Sequence, residues 1–198
     1  MGLLDGRRLL VIDTETTGMS PSGGAELVEV ARVVLEDGTI AETWSSLVKP
    51  ARPIPPDATR VHGITDAMVA DAPAPAAVAA ALRAACAELP LVFHNAPFDL
   101  PFLIALMRAS GQPPLFNPIV DTLGLARGLF GTGSNSLGAL AARLELPRES
   151  AHRALGDART TARLFLALAG RWEAERGARS VADLAAASQD VMRLTARR

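Results

Sequence analysis

An apolar run that ends in two carboxylates constrains this chain more than any other feature. Leu9-Leu10-Val11-Ile12 is followed at once by Asp13-Thr14-Glu15. Four consecutive branched aliphatic residues read as a strand buried on both faces. Residues i and i+2 of a strand share a face, so Asp13 and Glu15 point the same way at its end. Like charges held that close raise each other's proton affinity unless a cation lies between them. Charge at the exit of a buried strand is costly unless it coordinates something. Oxygen donors of this kind suit Mg²⁺ or Mn²⁺. A solvated surface Asp-x-Glu is the competing reading, which the buried run before it and the turn Thr16-Thr17-Gly18 after it disfavour.

Two later motifs add to this pair. In VFHNAPFD, the run Leu91–His94 predicts a short strand that delivers Asp99 into a helix over 98–109. Alone, Asp99 reads better as a helix N-terminal acid favoured by the macrodipole. His94 and Asn95 leave the same strand, however, and Phe98 offers a flat apolar face of the kind on which bases stack. In AHRALGDA, His152 and Asp157 are five residues apart, about 140° around a regular helix. They come together only if Asp157 lies in the first turns of a helix and His152 just ahead of it, where an imidazole can reach an attacking water. Four carboxylates and one histidine in this order describe a site for two divalent ions and phosphodiester cleavage. His62-Gly63-Ile64-Thr65 enters another helix, with Thr65 as its cap; a capping role and a substrate contact both stand for this segment. Gln112-Pro113-Pro114-Leu115-Phe116 loosely resembles a peptide that docks on a sliding clamp, but inside a domain the expected role is packing of Leu115 and Phe116.

Around these motifs the chain reads as α/β. Asp37-Gly38 between 27–35 and 39–48 predicts a hairpin. The proline-rich stretch 49–63 predicts a loop. Helices are expected from 65, over 75–88 and 98–109, after the capping residues Asp121 and Ser136, and over 154–169 up to Gly170. A brief strand is expected at 119–120. Hairpin first, then alternating helices and strands, gives a mixed β-sheet flanked by α-helices. A shift of composition near Arg171 suggests a domain over 1–170 and a helical extension over 171–198. There Val181, Leu184, Val191, Met192 and Leu194 make a loose amphipathic pattern, either folded back on the core or free to bind a partner.

Bulk properties exclude several classes. At 198 residues, 49% hydrophobic and 21% charged, the chain is globular, not disordered. No apolar stretch approaches the ~20 residues of a membrane span. Cys86 is the one cysteine, which rules out an intrachain disulfide and a cysteine zinc site. With no signal-peptide pattern at the start, a reducing cytoplasm is the expected setting. A net charge of −1 argues against broad phosphate neutralisation, so any nucleic-acid contact should be local and metal-mediated.

Taken together, DTETTGM, HNAPFD and HRALGD resemble the DEDDh 3′-5′ exonucleases of the DnaQ-like superfamily, within the ribonuclease-H-like fold. The resemblance covers about residues 7–170. The histidine of the third motif separates this group from its tyrosine-bearing sister, and the chain has no tyrosine. DTETTGM and VHGIT are most similar to the proofreading epsilon subunits of bacterial DNA polymerase III and their stand-alone relatives. The resemblance implies that Asp13, Glu15, Asp99, His152 and Asp157 are catalytic. It implies two Mg²⁺ or Mn²⁺ ions, with Asp13 bridging, Glu15 and Asp157 completing one site, and Asp99 supporting the other. Thr16, Met19, Val61, His62, Asn95 and Phe98 would surround the terminal nucleotides, with Met19 and Val61 wedged against the last bases. The implied product is a nucleoside 5′-monophosphate from the 3′ end of single-stranded DNA, with DNA polymerase III or another replication or repair protein as partner. Two rivals remain: an exoribonuclease resembling RNase T or oligoribonuclease, and a non-catalytic docking subunit of a polymerase.

Overall fold

A computed structural model describes residues 2–147, 149 and 151–196, without the side chains of 190–196. Its centre is a five-stranded sheet in the order β3-β2-β1-β4-β5. The hairpin forms as its turn chemistry dictates. Strands β2 (Leu27–Glu36) and β3 (Thr39–Leu47) pair antiparallel. The turn between them holds Asp37 and Gly38 at φ 49° and 71°, the paired positive angles of the tight hairpin that favours this dipeptide. Strand β1 (Arg8–Thr16) pairs antiparallel with β2 and parallel with β4 (Leu91–Phe93), and β5 (Ile119–Asp121) extends the parallel half. The sheet is therefore mixed, as expected, and its sense changes at the strand that carries the first carboxylates.

Helices cover both faces. Leu10, Ile12, Val30, Val34, Leu91 and Phe93 pack against α3 (Pro75–Cys86) and α4 (Ala96–Ala109). Leu9, Val11, Val33, Leu35, Val92 and Val120 pack on the opposite layer. That layer contains α5 (Thr122–Phe130), α6 (Leu137–Arg143), α7 (Ala154–Arg176) and α8 (Val181–Ala196). The alternation along β1 is strict, so odd-numbered residues face α7 and even-numbered ones face α4. Cys86 is buried and free, and burial pushes its thiol up to about 11, leaving it inert at neutral pH.

Several local expectations need correction. The stretch 49–63 is not all loop, because α1 (Pro56–His62) occupies its second half. Pro56 sits at the first helical position, where the missing N–H costs nothing, and Gly63 ends the helix at φ 72°. Thr65 holds the N-cap position of α2 (Asp66–Val69), yet its side chain accepts no capping bond. The neighbouring Asp66 instead accepts from Ile54 N–H at 2.8 Å. Helix α7 passes through Gly170 and ends at Gly177. An interior glycine costs about 1 kcal/mol against alanine, which burial of Leu168 and Ala169 and the bond from Trp172 Nε1 to the Leu125 carbonyl outweigh. Leu115 is half-buried against the core, but Phe116 is 89% exposed and packs on nothing.

Within 171–196, α8 lies against α5 and β5. Leu184 and Ser188 are fully buried, and the Ser188 hydroxyl accepts from Asp121 N–H at 3.1 Å. Gly124 permits this approach, since a Cβ there would lie 2.2 Å from the Ser188 carbonyl oxygen. The side chains of Val191, Met192 and Leu194, and all of Arg197 and Arg198, lie outside the described residues.

Candidate active site

Strand β1 extends past the apolar run, so Asp13 and Glu15 lie within it and not beyond it. Their parity matches Leu9 and Val11, which turns both toward α7. Asp157 stands in the first turn of that helix. One carboxylate oxygen from each of Asp13, Glu15 and Asp157 lies within 4.8 Å of the others. Thr14 has the opposite parity and faces α4, where its hydroxyl donates to Asp99 Oδ1 at 2.6 Å. The fourth carboxylate thus reaches the same strand from the other side, close enough to act on Asp13 through its charge but outside the cluster of three.

The electrostatics are those of a site built for a cation. Burial holds Asp13 well above the usual carboxylate range, and repulsion from Asp99, Asp157 and Glu15 adds to it. Burial, then Asp157 and Glu29, push Glu15 up to about 8. Burial pushes Asp99 up to about 7, against the lowering effect of the Thr14 hydrogen bond. Asp157 is raised by burial and partly relieved by the His152 backbone N–H. Clustered hard oxygen donors that cannot all ionise unaided fit a divalent ion.

A stability prediction arises here. Groups whose folded pKa is raised bind more protons folded than unfolded, so their effect is harmless at low pH and destabilising once they ionise. In EDTA the melting temperature should fall between pH 5 and 8, as Asp99 and Glu15 titrate toward about 7 and about 8. Saturating Mn²⁺ should remove that fall, because metal binding favours the ionised carboxylates. A metal-free melting temperature that rises across this interval would contradict the assignment.

His152 precedes α7 at φ 58°, exposed, with its backbone N–H donating to Asp157 Oδ2 at 2.9 Å. His152 is therefore tied to the cluster through its main chain.

Residues 10–165 match the profile of the Exonuclease family, RNase T type. This chain belongs to the RNase T/DnaQ-like exonuclease family. The epsilon subunit of Escherichia coli DNA polymerase III is 36% identical over 174 residues, covering 82% of this chain and 72% of the subunit. A DNA polymerase III subunit epsilon-like protein of Rhodobacter capsulatus is 45% identical over 170 residues, but the match spans only 24% of that longer protein. Among solved structures, Exonuclease X in complex with 5′ overhanging duplex DNA superposes with a TM-score of 0.67 at 32% identity, covering 89% of this chain and 99% of that one. Exonuclease I of Escherichia coli in complex with a dT13 oligonucleotide reaches 0.76 at 20% identity over 86% of this chain, a likeness of fold. The fold is ribonuclease-H-like.

In this exonuclease the remaining expected residues lie at the end of β1 and the turn after it, on α1, and at the start of α4. Met19 and Val61 are 82% and 57% exposed, free to meet a ligand. Thr16 is buried and its hydroxyl donates to the Gly18 carbonyl at 2.7 Å, fixing the turn that carries Met19. His62 is buried, and its Nδ1 accepts from Ile64 N–H at 3.0 Å. Burial lowers its pKa, against the raising effect of a hydrogen bond with the Thr16 backbone. Asn95 is exposed in the left-handed region at φ 72°, and Phe98 packs at a tilt on Phe102. A cavity of about 620 Å³, within the range of small-ligand sites, is lined by Ser136, Leu137, Glu149, His152, Asp157 and Thr160, among others.

Sequence reading missed three supports of the exonuclease site. Thr14 is one, hidden by its neutral side chain. Asp121 was read as a cap of α5, and it does accept from Leu123 N–H at 2.9 Å. It also accepts from Asn95 and Ala96 N–H, both at 3.0 Å, and so holds the start of α4 that bears Asp99. The third is Glu29, which binds Arg153 and the Ala154 N–H across 124 and 125 residues of sequence. A lone acid inside Leu27-Val28-Glu29-Val30-Ala31 was the available signal.

Proposed function

We propose that the protein hydrolyses single-stranded DNA from its 3′ end, releasing nucleoside 5′-monophosphates in proofreading or repair. The observation that carries this reading is the cluster of Asp13, Glu15 and Asp157 with His152 tied to Asp157 beside it. Asp13, Glu15 and Asp157 would hold one divalent ion, and Asp13 with Asp99 would support a second, Mg²⁺ or Mn²⁺ in each case. When bound, such ions supply positive charge that activates a water and stabilises the leaving 3′ oxygen. His152 accepts the proton of the attacking water. His62 would frame the pocket from α1, its ring buried beside the Thr16 backbone. Met19 and Val61 press apolar side chains on the terminal bases, Phe98 supplies an aromatic edge beside them, and Thr16 and Asn95 shape the turns that frame the pocket.

The DNA preference is supported by relatives whose names and complexes are of DNA: the polymerase III subunits, Exonuclease X and Exonuclease I. The near-neutral net charge of −1 gives weak affinity for free strands, so a polymerase III or repair partner would supply local concentration. No helix among the described residues is long and apolar enough to cross a membrane, and we place the protein in the cytoplasm. The chemistry would reside in 1–170, with 171–198 a helical extension whose α8 docks on β5 and α5.

The test is incubation with Mn²⁺ and 5′-labelled single-stranded DNA and RNA of matched sequence. A ladder shortening from the 3′ end of DNA is expected. RNA shortened far faster than DNA would move the protein to the exoribonuclease branch, and no ladder on either would favour the docking subunit.

A further inference from the structure

Glu29 stands outside the carboxylate cluster yet inside the same wall of the sheet. It is directly opposite Glu15 in the β1–β2 register, and its parity turns it toward α7. The side chain is 4% exposed. Its two oxygens accept from Arg153 Nε at 3.1 Å, Arg153 Nη2 at 2.8 Å and Ala154 N–H at 3.0 Å. This is the two-pronged geometry that a guanidinium offers and an ammonium does not, combined with a cap on the first turn of α7.

Arg153 follows His152, which has a left-handed backbone at φ 58°. Such a conformation in a non-glycine residue is sparsely populated and persists only where its surroundings over-determine it. Here the surroundings are visible. On one side the His152 N–H is fixed to Asp157; on the other, Arg153 and Ala154 are fixed to Glu29. His152 is exposed, and the direction of its imidazole depends on the backbone on which it stands.

We propose that Glu29 and Arg153 are positioning residues that hold the His152 turn so that the imidazole faces the attacking water. The proposal rests on the exonuclease reading above. Arg153 acts through His152 and does not contact the nucleic acid, although its side chain is 43% exposed and a phosphate contact is the natural rival.

Kinetics separate the two. Turnover would be measured with Mn²⁺ for the wild type, Arg153→Met, His152→Asn and the double variant, on whichever polymer the wild type shortens. Arg153→Met should lower kcat roughly 10–10²-fold, the loss typical of a misplaced catalytic group, with KM and Mn²⁺ affinity within about twofold. In the His152→Asn background it should cause no further loss, because the group it positions is gone. A raised KM with unchanged kcat, or losses that multiply in the double variant, would overturn the proposal. Lost Mn²⁺ affinity would do so too, by placing Arg153 with the metal ligands. If Arg153→Met does not fold, Arg153→Lys keeps the charge without the fork, and the same pattern of kcat loss and non-additivity decides the matter. Full turnover by His152→Asn would sink the general-base reading and this proposal with it. A slow His152→Asn with multiplying losses sinks the proposal alone.

Discussion

Asp13→Asn is expected to leave no detectable nucleotide release while raising the melting temperature of the metal-free protein. Asparagine keeps the shape of the side chain and one oxygen but removes the charge on which the cluster depends. Asp13 is the residue on which the others converge, being repelled by Asp99, Asp157, Glu15 and Glu29 together. Without it the remaining acids have no shared partner through which to hold an ion. The loss should be on the order of 10⁴-fold or more, as for an indispensable member of a catalytic unit. Stability moves the other way. Removing one buried charge relieves both its own desolvation and its repulsion with Asp99, Asp157 and Glu15. Each kcal/mol of relief would appear as roughly 2–4 °C in a chain of this size. Calorimetry in EDTA at pH 8, beside a labelled-strand assay with Mn²⁺, checks both halves. A melting temperature lower than wild type would show that Asp13 is a structural acceptor.

The three acidic motifs were legible because each couples a charged residue to a strongly patterned neighbour. Leu9–Ile12 fixed β1, and period two along it then fixed which way Asp13 and Glu15 point. Asp157 was placed in a first turn simply because five residues cannot bring it to His152 in mid-helix. What stayed hidden depends on which elements meet in space. Thr14 matters only because α4 lies on the even face of β1, and sequence does not reveal which helix covers which face. Asp121 looks like a local cap because its bond to Leu123 is local, whereas its bonds to Asn95 and Ala96 cross between two parallel strands. Glu29 was overlooked among apolar neighbours, although a solitary acid in a buried strand always requires a partner. Helix ends misled where glycine and proline were read as stops: Pro56 begins a helix, and Gly170 lies inside one. Phe116 is the reverse case, an aromatic residue expected to pack that faces solvent.

Loss of the His152 imidazole should slow turnover about 10²–10⁴-fold, the usual contribution of a general base, with little change in metal affinity. The distinction follows from the geometry. Among the described residues the oxygens within 4.8 Å of one another belong to Asp13, Glu15 and Asp157, and the His152 backbone N–H donates to Asp157. Asparagine is the better replacement than alanine, because residue 152 has φ 58° and asparagine enters the left-handed region several-fold more readily than most residues. His152→Asn therefore removes the proton acceptor while retaining the N–H that ties α7 to the site. Mn²⁺ titration should give wild-type affinity, and KM should hold within about twofold while kcat falls. Wild-type turnover in His152→Asn would transfer the base role away from His152 to a group among the carboxylates.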